Sequence, residues 1–228
     1  MLQFLAFFTL LLWTLPLSVQ AQAVQCDAQK LGEIKVSWTT KEIKYNHTRT
    51  STQLNHYDID TQSPYAKHVK TDVGGLMSGE IEVKSGFNFS LLRYPTQQRN
   101  CIWFDSMHIQ IEVDPTIYIA REHKPGTCRY AAIKEHELKH VHVDRQLVQK
   151  YTRQIQERAR AAVRKVGVIG PRPDNDVKRV QAKMQKYIED ALAPVFETMY
   201  AEREKRQQDV DSYHEYERVR KLCPETRS

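Results

Sequence analysis

The sequence predicts an α+β chain, and three observations carry that prediction. Residues 30–125 hold short runs of alternating apolar and polar residues, the pattern of half-buried strands. Residues 128–222 switch to apolar residues at the 3.6-residue period of long helices. A stiff Gly170-Pro171-Arg172-Pro173 turn separates two such helical stretches and makes them an antiparallel hairpin. The expected architecture is a small, mostly antiparallel sheet followed by a long two-helix hairpin, in a single domain over residues 24–228.

The first segment stands apart. Leu2 to Leu17 is almost wholly apolar, and Ala21-Gln22-Ala23 has the small-x-small form of a signal-peptidase site, so residues 1–23 read as a signal peptide. The run is shorter than the roughly 20 apolar residues that a spanning helix needs. The mature chain is thus expected to be exported, secreted or periplasmic. Its 4 cysteines, Cys26, Cys101, Cys128 and Cys223, are an even number and suit disulfides in an oxidising compartment. Three pairings are open, and Cys101–Cys128 with Cys26–Cys223 is the preferred one. No two cysteines have the C-x₂-C spacing of a cysteine zinc cluster.

Within the strand-rich part, Ile34 to Thr39 alternates as a first strand, and Thr48 to Gln62 is polar and reads as loop. Gly74-Gly75 marks a turn. Ile81 and Val83, then Gly86, Phe87 and Phe89, suggest a strand, a bend and a second strand. Trp103 to Val113 places Met107, Ile109, Ile111 and Val113 on one face; Asp114-Pro115 breaks the run, and Ile117 to Ala120 is a short further strand.

The first long helix covers Arg129 to Val166 without internal Gly or Pro, with Ile133, Leu147, Val148, Tyr151, Ile155, Ala159, Ala162 and Val166 along one stripe. The second carries Val177, Val180, Met184, Ile188, Leu192, Val195 and Met199 on one face, and Pro194 implies a kink. The chain's net charge is +6. Its cations concentrate in these helices, at Arg158, Arg160, Arg164, Lys165, Lys178, Arg179, Lys183 and Lys186. They read as a solvated surface that could also meet an anionic envelope surface. No base-stacking motif accompanies them, so nucleic acid is not an expected partner.

On the buried stripe of the first helix lies His136-Glu137-Leu138-Lys139-His140, an H-E-x-x-H. Residues four apart share a helix face, so both imidazoles can reach one Zn²⁺ at about 2.0–2.1 Å. Glu137 can hold a zinc-bound water and take its proton, since bound zinc brings that water's pKa to about 7. His136 and His140 are therefore candidate metal ligands and Glu137 the candidate general base. Asp144 lies about 12 Å along the axis from His136, too far for one ion, and is expected to orient a histidine or form an ion pair. Antiparallel pairing of the two helices sets the motif level with Glu202 to Arg206. Glu202 is the first-choice third ligand, with Asp211, His214 and Glu215 next.

The export leader, the cysteine-bearing strand region, Cys128-Arg129-Tyr130 leading into H-E-x-x-H, and the closing Gln208 to Tyr216 stretch resemble the bacterial secreted zinc-dependent protease family (the DUF922-like group). The resemblance spans roughly residues 30–220. It implies a zincin-like fold and metallopeptidase activity on a peptide or protein substrate, with zinc at His136 and His140 and Glu137 as base. The tail lacks the group's Thr/His-Gly ending. The strand Ile117–Ala120 is expected to pair with extended substrate, and His123, Tyr130 and Tyr213 are candidate oxyanion donors. The rival expectation is a non-catalytic exported scaffold or envelope-binding protein with a structural or vestigial zinc site. A hydrolase acting on a non-peptide amide is a further one.

Overall fold

The computed structural model describes residues 24–27, 29, 32–57, 61–65 and 73–223. The expected signal peptide, residues 1–23, lies outside them. In chain order come β1 (Glu33–Thr40), β2 (Lys44–Asn46), α1 (Ser51–Leu54), β3 (Gly75–Tyr94), β4 (Arg99–Ile119), α2 (Cys128–Val166), β5 (Ile169–Pro173), α3 (Val177–Val210) and α4 (Tyr213–Leu222).

β4 organises the sheet. Its odd-numbered residues from Met107 to Ile119 are all buried, the period-2 signature of a strand with one covered face. β3 runs antiparallel to it from Gly75 opposite Ile119 to Tyr94 opposite Arg99 and fills one edge. Three short strands share the other edge: β5 antiparallel, then β1 and β2, both parallel to β4. The expectation of a small, mostly antiparallel sheet is therefore corrected, because both N-terminal strands run parallel to β4. Alternation reports that a segment is a strand but not which way it runs, and β1 and β2 meet their partner only across the intervening β3.

The expected breaks also differ. Ile81 to Phe89 forms one strand, and β4 continues through Asp114-Pro115. Pro115 has no N–H to donate. It falls in the gap on the outer edge between Val113, where β1 ends, and Thr116, where β2 begins, so no ladder bond is lost there. The segment read as loop contains α1, started by a capping box in which Thr50 accepts from Gln53 N–H and the Gln53 side chain accepts from Thr50 N–H.

α2 and α3 form the hairpin and cover the buried face of the sheet. Ile109, Ile111, Leu147, Tyr151, Ile155, Met184, Ile188 and Met199 share one core. Thr127 caps α2 by accepting from Tyr130 N–H, and Gly167 at φ 59° ends it in a backbone conformation that only glycine adopts freely. The basic residues of these helices are exposed, from Arg158 through Lys186. The disulfides are Cys26–Cys101 and Cys128–Cys223, not the preferred pairing. The first ties the N-terminal segment to β4, and the second closes the end of α4 onto the start of α2. Two disulfides fit an oxidising compartment. No helix among the described residues is long and apolar enough to cross a membrane.

Candidate metal centre

His136, Glu137, His140 and Asp144 all lie on the buried face of α2. The hairpin brings the end of α3 to them. Asp211 terminates α3, its N–H bonded to Gln207 O, and Ser212 caps α4 by accepting from Glu215 N–H. This break between helices turns the Asp211 carboxylate inward. Asp211 Oδ1 lies 3.1 Å from His136 Nε2 and 3.2 Å from His140 Nε2. One ligand atom from each residue falls within 4.8 Å of the others, and all three residues are buried. Tetrahedral ligands at about 2.0–2.1 Å from zinc stand roughly 3.3 Å apart, so this cluster fits a metal ion.

The rest of each imidazole is held in the manner of metal sites. His140 Nδ1 is 2.5 Å from Gln207 Oε1 and His136 Nδ1 is 3.5 Å from Glu215 Oε1. With Nδ1–H donating outward, each Nε2 keeps its lone pair for the centre. Gln207 is fixed in turn, donating from Nε2 to the His140 carbonyl and to Asp144 Oδ1. Asp144 is fully buried and ion-paired to Arg203, with Arg203 Nε 2.7 Å away. It makes the expected ion pair and also, through Gln207, orients His140.

Burial pushes the Glu137 carboxyl above its usual range, and the neighbouring His136 and His140 offset this only in part. Glu137 also accepts from Met77 N–H. Burial acts to raise Asp211 too, but in the metal-free chain, where a protonated ring donates from Nε2 as well, hydrogen bonds from both histidines hold it well below the ordinary carboxylate range. For His140, burial favours the neutral ring and the Asp211 carboxylate overrides it, so its pKa rises in the metal-free chain. Glu215 is lowered to about 2, chiefly by Arg218 and then by Lys139.

Glu202 is not in the cluster. Its carboxylate is taken by Lys150 and Tyr151, with Arg206 nearby, and it sits along the hairpin away from the histidines. The motif is level instead with Gln207 to Asp211, about 1.4 helical turns further along. The reason is β5: after α2 the chain leaves the hairpin to pair with β4, so the helix ends are not level. His214 is exposed, and Glu215 stands behind His136 rather than at the centre.

A cavity of about 220 Å³ opens beside the cluster, reached by Glu137 and bounded by the first residues of β3. Gly75 permits the close approach: a Cβ there would lie 2.8 Å from Glu137 Oε1 and 2.4 Å from Ile133 Cγ2. Tyr216 also lines the cavity, its ring 5.5 Å from that of His136 and its hydroxyl bonded to Asp211. Burial and the Asp211 and Glu137 charges raise its pKa, keeping the phenol protonated. Tyr216 was not among the expected oxyanion donors, and none of those that were lines it. Tyr130 bonds His47, Tyr213 is largely exposed, and His123 lies by Gly74. The expected substrate strand Ile117–Ala120 cannot take up a peptide, since β2 and β3 flank it through Tyr118 and Ile119 and the Ala120 N–H bonds Gly74 O. Ser212-x-x-Glu215 is a capping-box spacing that marks a helix start and so a break at Asp211; that signal was available in the sequence.

The class defined so far is an α+β chain with a buried His-His-Asp centre that could bind a metal, opening onto a cleft. No protein family, no curated protein and no solved structure matches it. The likeness to the DUF922-like group thus rests on the quoted motifs alone.

Proposed function

We propose that this chain is an exported zinc-dependent metallopeptidase. The observation that carries the reading is the convergence of His136 Nε2, His140 Nε2 and Asp211 Oδ1 on one point, with Glu137 beside it in an open cleft. Two imidazoles and one carboxylate form a borderline-soft donor set suited to zinc. A structural zinc has four protein ligands and a closed shell, whereas three groups converge here among the described residues and the cavity adjoins them. That favours an enzyme over the scaffold alternative.

Bound zinc would supply the Lewis acidity that activates water and polarises the scissile carbonyl. Glu137, its carboxyl raised by burial, accepts the proton of the attacking water and passes it to the leaving amine. Tyr216, a protonated phenol beside Asp211, would turn its one O–H from Asp211 to the developing oxyanion. Substrate would extend along β3, which pairs only with β4 among the described residues. Gly79 O receives Arg203 and Met77 N–H meets Glu137, so the odd-numbered residues turn their backbone groups away from β4. An extended peptide would add on that side through Gly75 and the Met77 carbonyl, the Met77 N–H being held by Glu137. The leader-like residues 1–23 support export, and the disulfides fit it.

The test is Glu137→Gln with a mixed peptide library read by mass spectrometry. The wild-type chain should cleave; the variant should retain stoichiometric zinc and lose cleavage by at least about 10³-fold. Undiminished cleavage by the variant refutes the mechanism.

A further inference from the structure

α4 is a short helix with no buried residue of its own, yet it supplies two groups to the metal centre. Glu215 reaches His136 Nδ1 at 3.5 Å and Lys139 Nζ at 2.6 Å, and the Tyr216 ring packs on His136. A surface helix that contributes to a buried site must be held from outside. Three attachments do this at the start of α2: the Cys128–Cys223 disulfide, Arg129 donating to the Val219 and Cys223 carbonyls, and the Arg218–Glu135 ion pair at 2.9 Å. Arg218–Glu135 is an exposed pair of small worth. Tyr65 adds a hydrogen bond to Glu217 and edge contacts to the Tyr213 and Tyr216 rings. The disulfide is the one covalent fastening in the set, and it brings together the Arg129 guanidinium and the Cys223 carbonyl.

Each disulfide has one buried half, Cys101 at 1% exposure and Cys223 at 7%; of the other halves, Cys26 is half-buried and Cys128, at the mouth of α2, is exposed. A thiolate can reach Cys128 Sγ without opening the fold.

We infer that α4 is a redox-controlled clasp on the metal centre, closed by Cys128–Cys223 and opened by a dithiol. This rests on the His136–His140–Asp211 reading above. One thiolate of the dithiol attacks Cys128 Sγ, forming a mixed disulfide and releasing Cys223 as a thiolate, which takes up a proton. The second thiolate of the dithiol then displaces Cys128. The dithiol leaves as its own disulfide, having given two electrons, and both cysteines end as thiols. With the clasp open, Glu215 and Tyr216 leave His136, while Asp211 stays on the end of α3 through its N–H bond to Gln207 O. The centre then keeps its three ligands and Gln207 on His140 but loses the outer groups at His136 and Asp211, a loss typically worth about 10–100-fold in metal affinity.

The experiment compares zinc affinity, by competition with a chromophoric chelator, in three forms of the full mature chain. These are the oxidised wild type, the Cys128→Ser plus Cys223→Ser variant, and wild type reduced at Cys128–Cys223, alkylated and freed of reductant. Hydrogen exchange over residues 212–222 is read in parallel. The expected result is zinc binding by the oxidised chain, binding about 10–100-fold weaker in the two open forms, and fast exchange confined to α4. Should the serine variant fail to fold, the alkylated form, with Cys26–Cys101 intact, gives the same comparison. Equal affinity in open and closed forms overturns the clasp and leaves the metal centre standing. Absence of zinc binding in the oxidised chain overturns the metal centre and the clasp with it.

Discussion

Replacing Gly75 by alanine adds one methyl group between β3 and α2. That methyl would lie 2.4 Å from Ile133 Cγ2, 2.8 Å from Glu137 Oε1 and 3.1 Å from Glu137 Cγ. Ordinary contact needs about 3.5–4.0 Å between carbons, so something must move by about 1 Å. The clash falls on two side chains of one helix. Overpacking of this kind costs about 1–3 kcal/mol, or roughly 3–10 °C in Tm for a chain of this size. Its effect on catalysis should be larger than its effect on stability. A 1 Å displacement of a reacting group can cost about 10²-fold in rate, and Glu137 is the group displaced. His136, His140 and Asp211 are not touched, so zinc affinity should stay within about threefold of wild type. The assay measures kcat on a cleaved peptide, zinc affinity by titration and Tm by calorimetry, all on Gly75→Ala. Undiminished turnover with a lowered Tm would refute the reasoning, because the close approach of Gly75 would then serve packing rather than the base.

Two further perturbations separate the roles of neighbouring groups. Tyr216→Phe keeps the ring on His136 and removes only the hydroxyl; kcat should fall about 10²-fold with zinc content unchanged, and an unchanged kcat would remove Tyr216 from the oxyanion role. Glu202→Gln should leave zinc binding intact and lower stability in a pH-dependent way. The Lys150 hydrogen bond, then that from Tyr151, depress the Glu202 carboxyl from its ordinary 4.5. Its contribution is therefore complete above about pH 4.5 and is lost as pH falls through the folded-state value. The wild-type advantage over the variant, below about 1 kcal/mol for such a partly exposed pair, should shrink on acidification and not on alkalinisation. A constant difference across pH by chemical denaturation would count against the ion pair.

Local periodicity made much of this molecule legible. The i, i+4 histidines with Glu137 between them, set on the same stripe as Leu147 and Ile155, were readable because helical spacing fixes a shared face. The spans of α2 and α3 were readable for the same reason, and Pro194 did not interrupt α3. What depended on distant partners was not readable. The third carboxylate is Asp211 rather than Glu202 because β5 departs to the sheet, the helices are offset by about 1.4 turns, and the break after α3 turns Asp211 inward. Strand direction failed for a similar reason: β1 and β2 meet β4 across a long β3. Local signals also misled. Pro115 looked like a break, yet it occupies an edge position where its missing N–H has no consequence. Gly75 looked like a turn, yet its lack of a side chain lets Glu137 approach. The cysteine pairing follows from where α4 returns, which no spacing rule encodes.

The most direct test of the metal centre is anomalous X-ray diffraction from crystals of residues 24–228 grown with zinc, recorded on both sides of the zinc absorption edge. The account predicts one strong peak, about 2 Å from His136 Nε2, His140 Nε2 and an Asp211 oxygen, with Glu137 beside it and unligated. A peak at Glu202, at the cysteines or nowhere in the chain would contradict it.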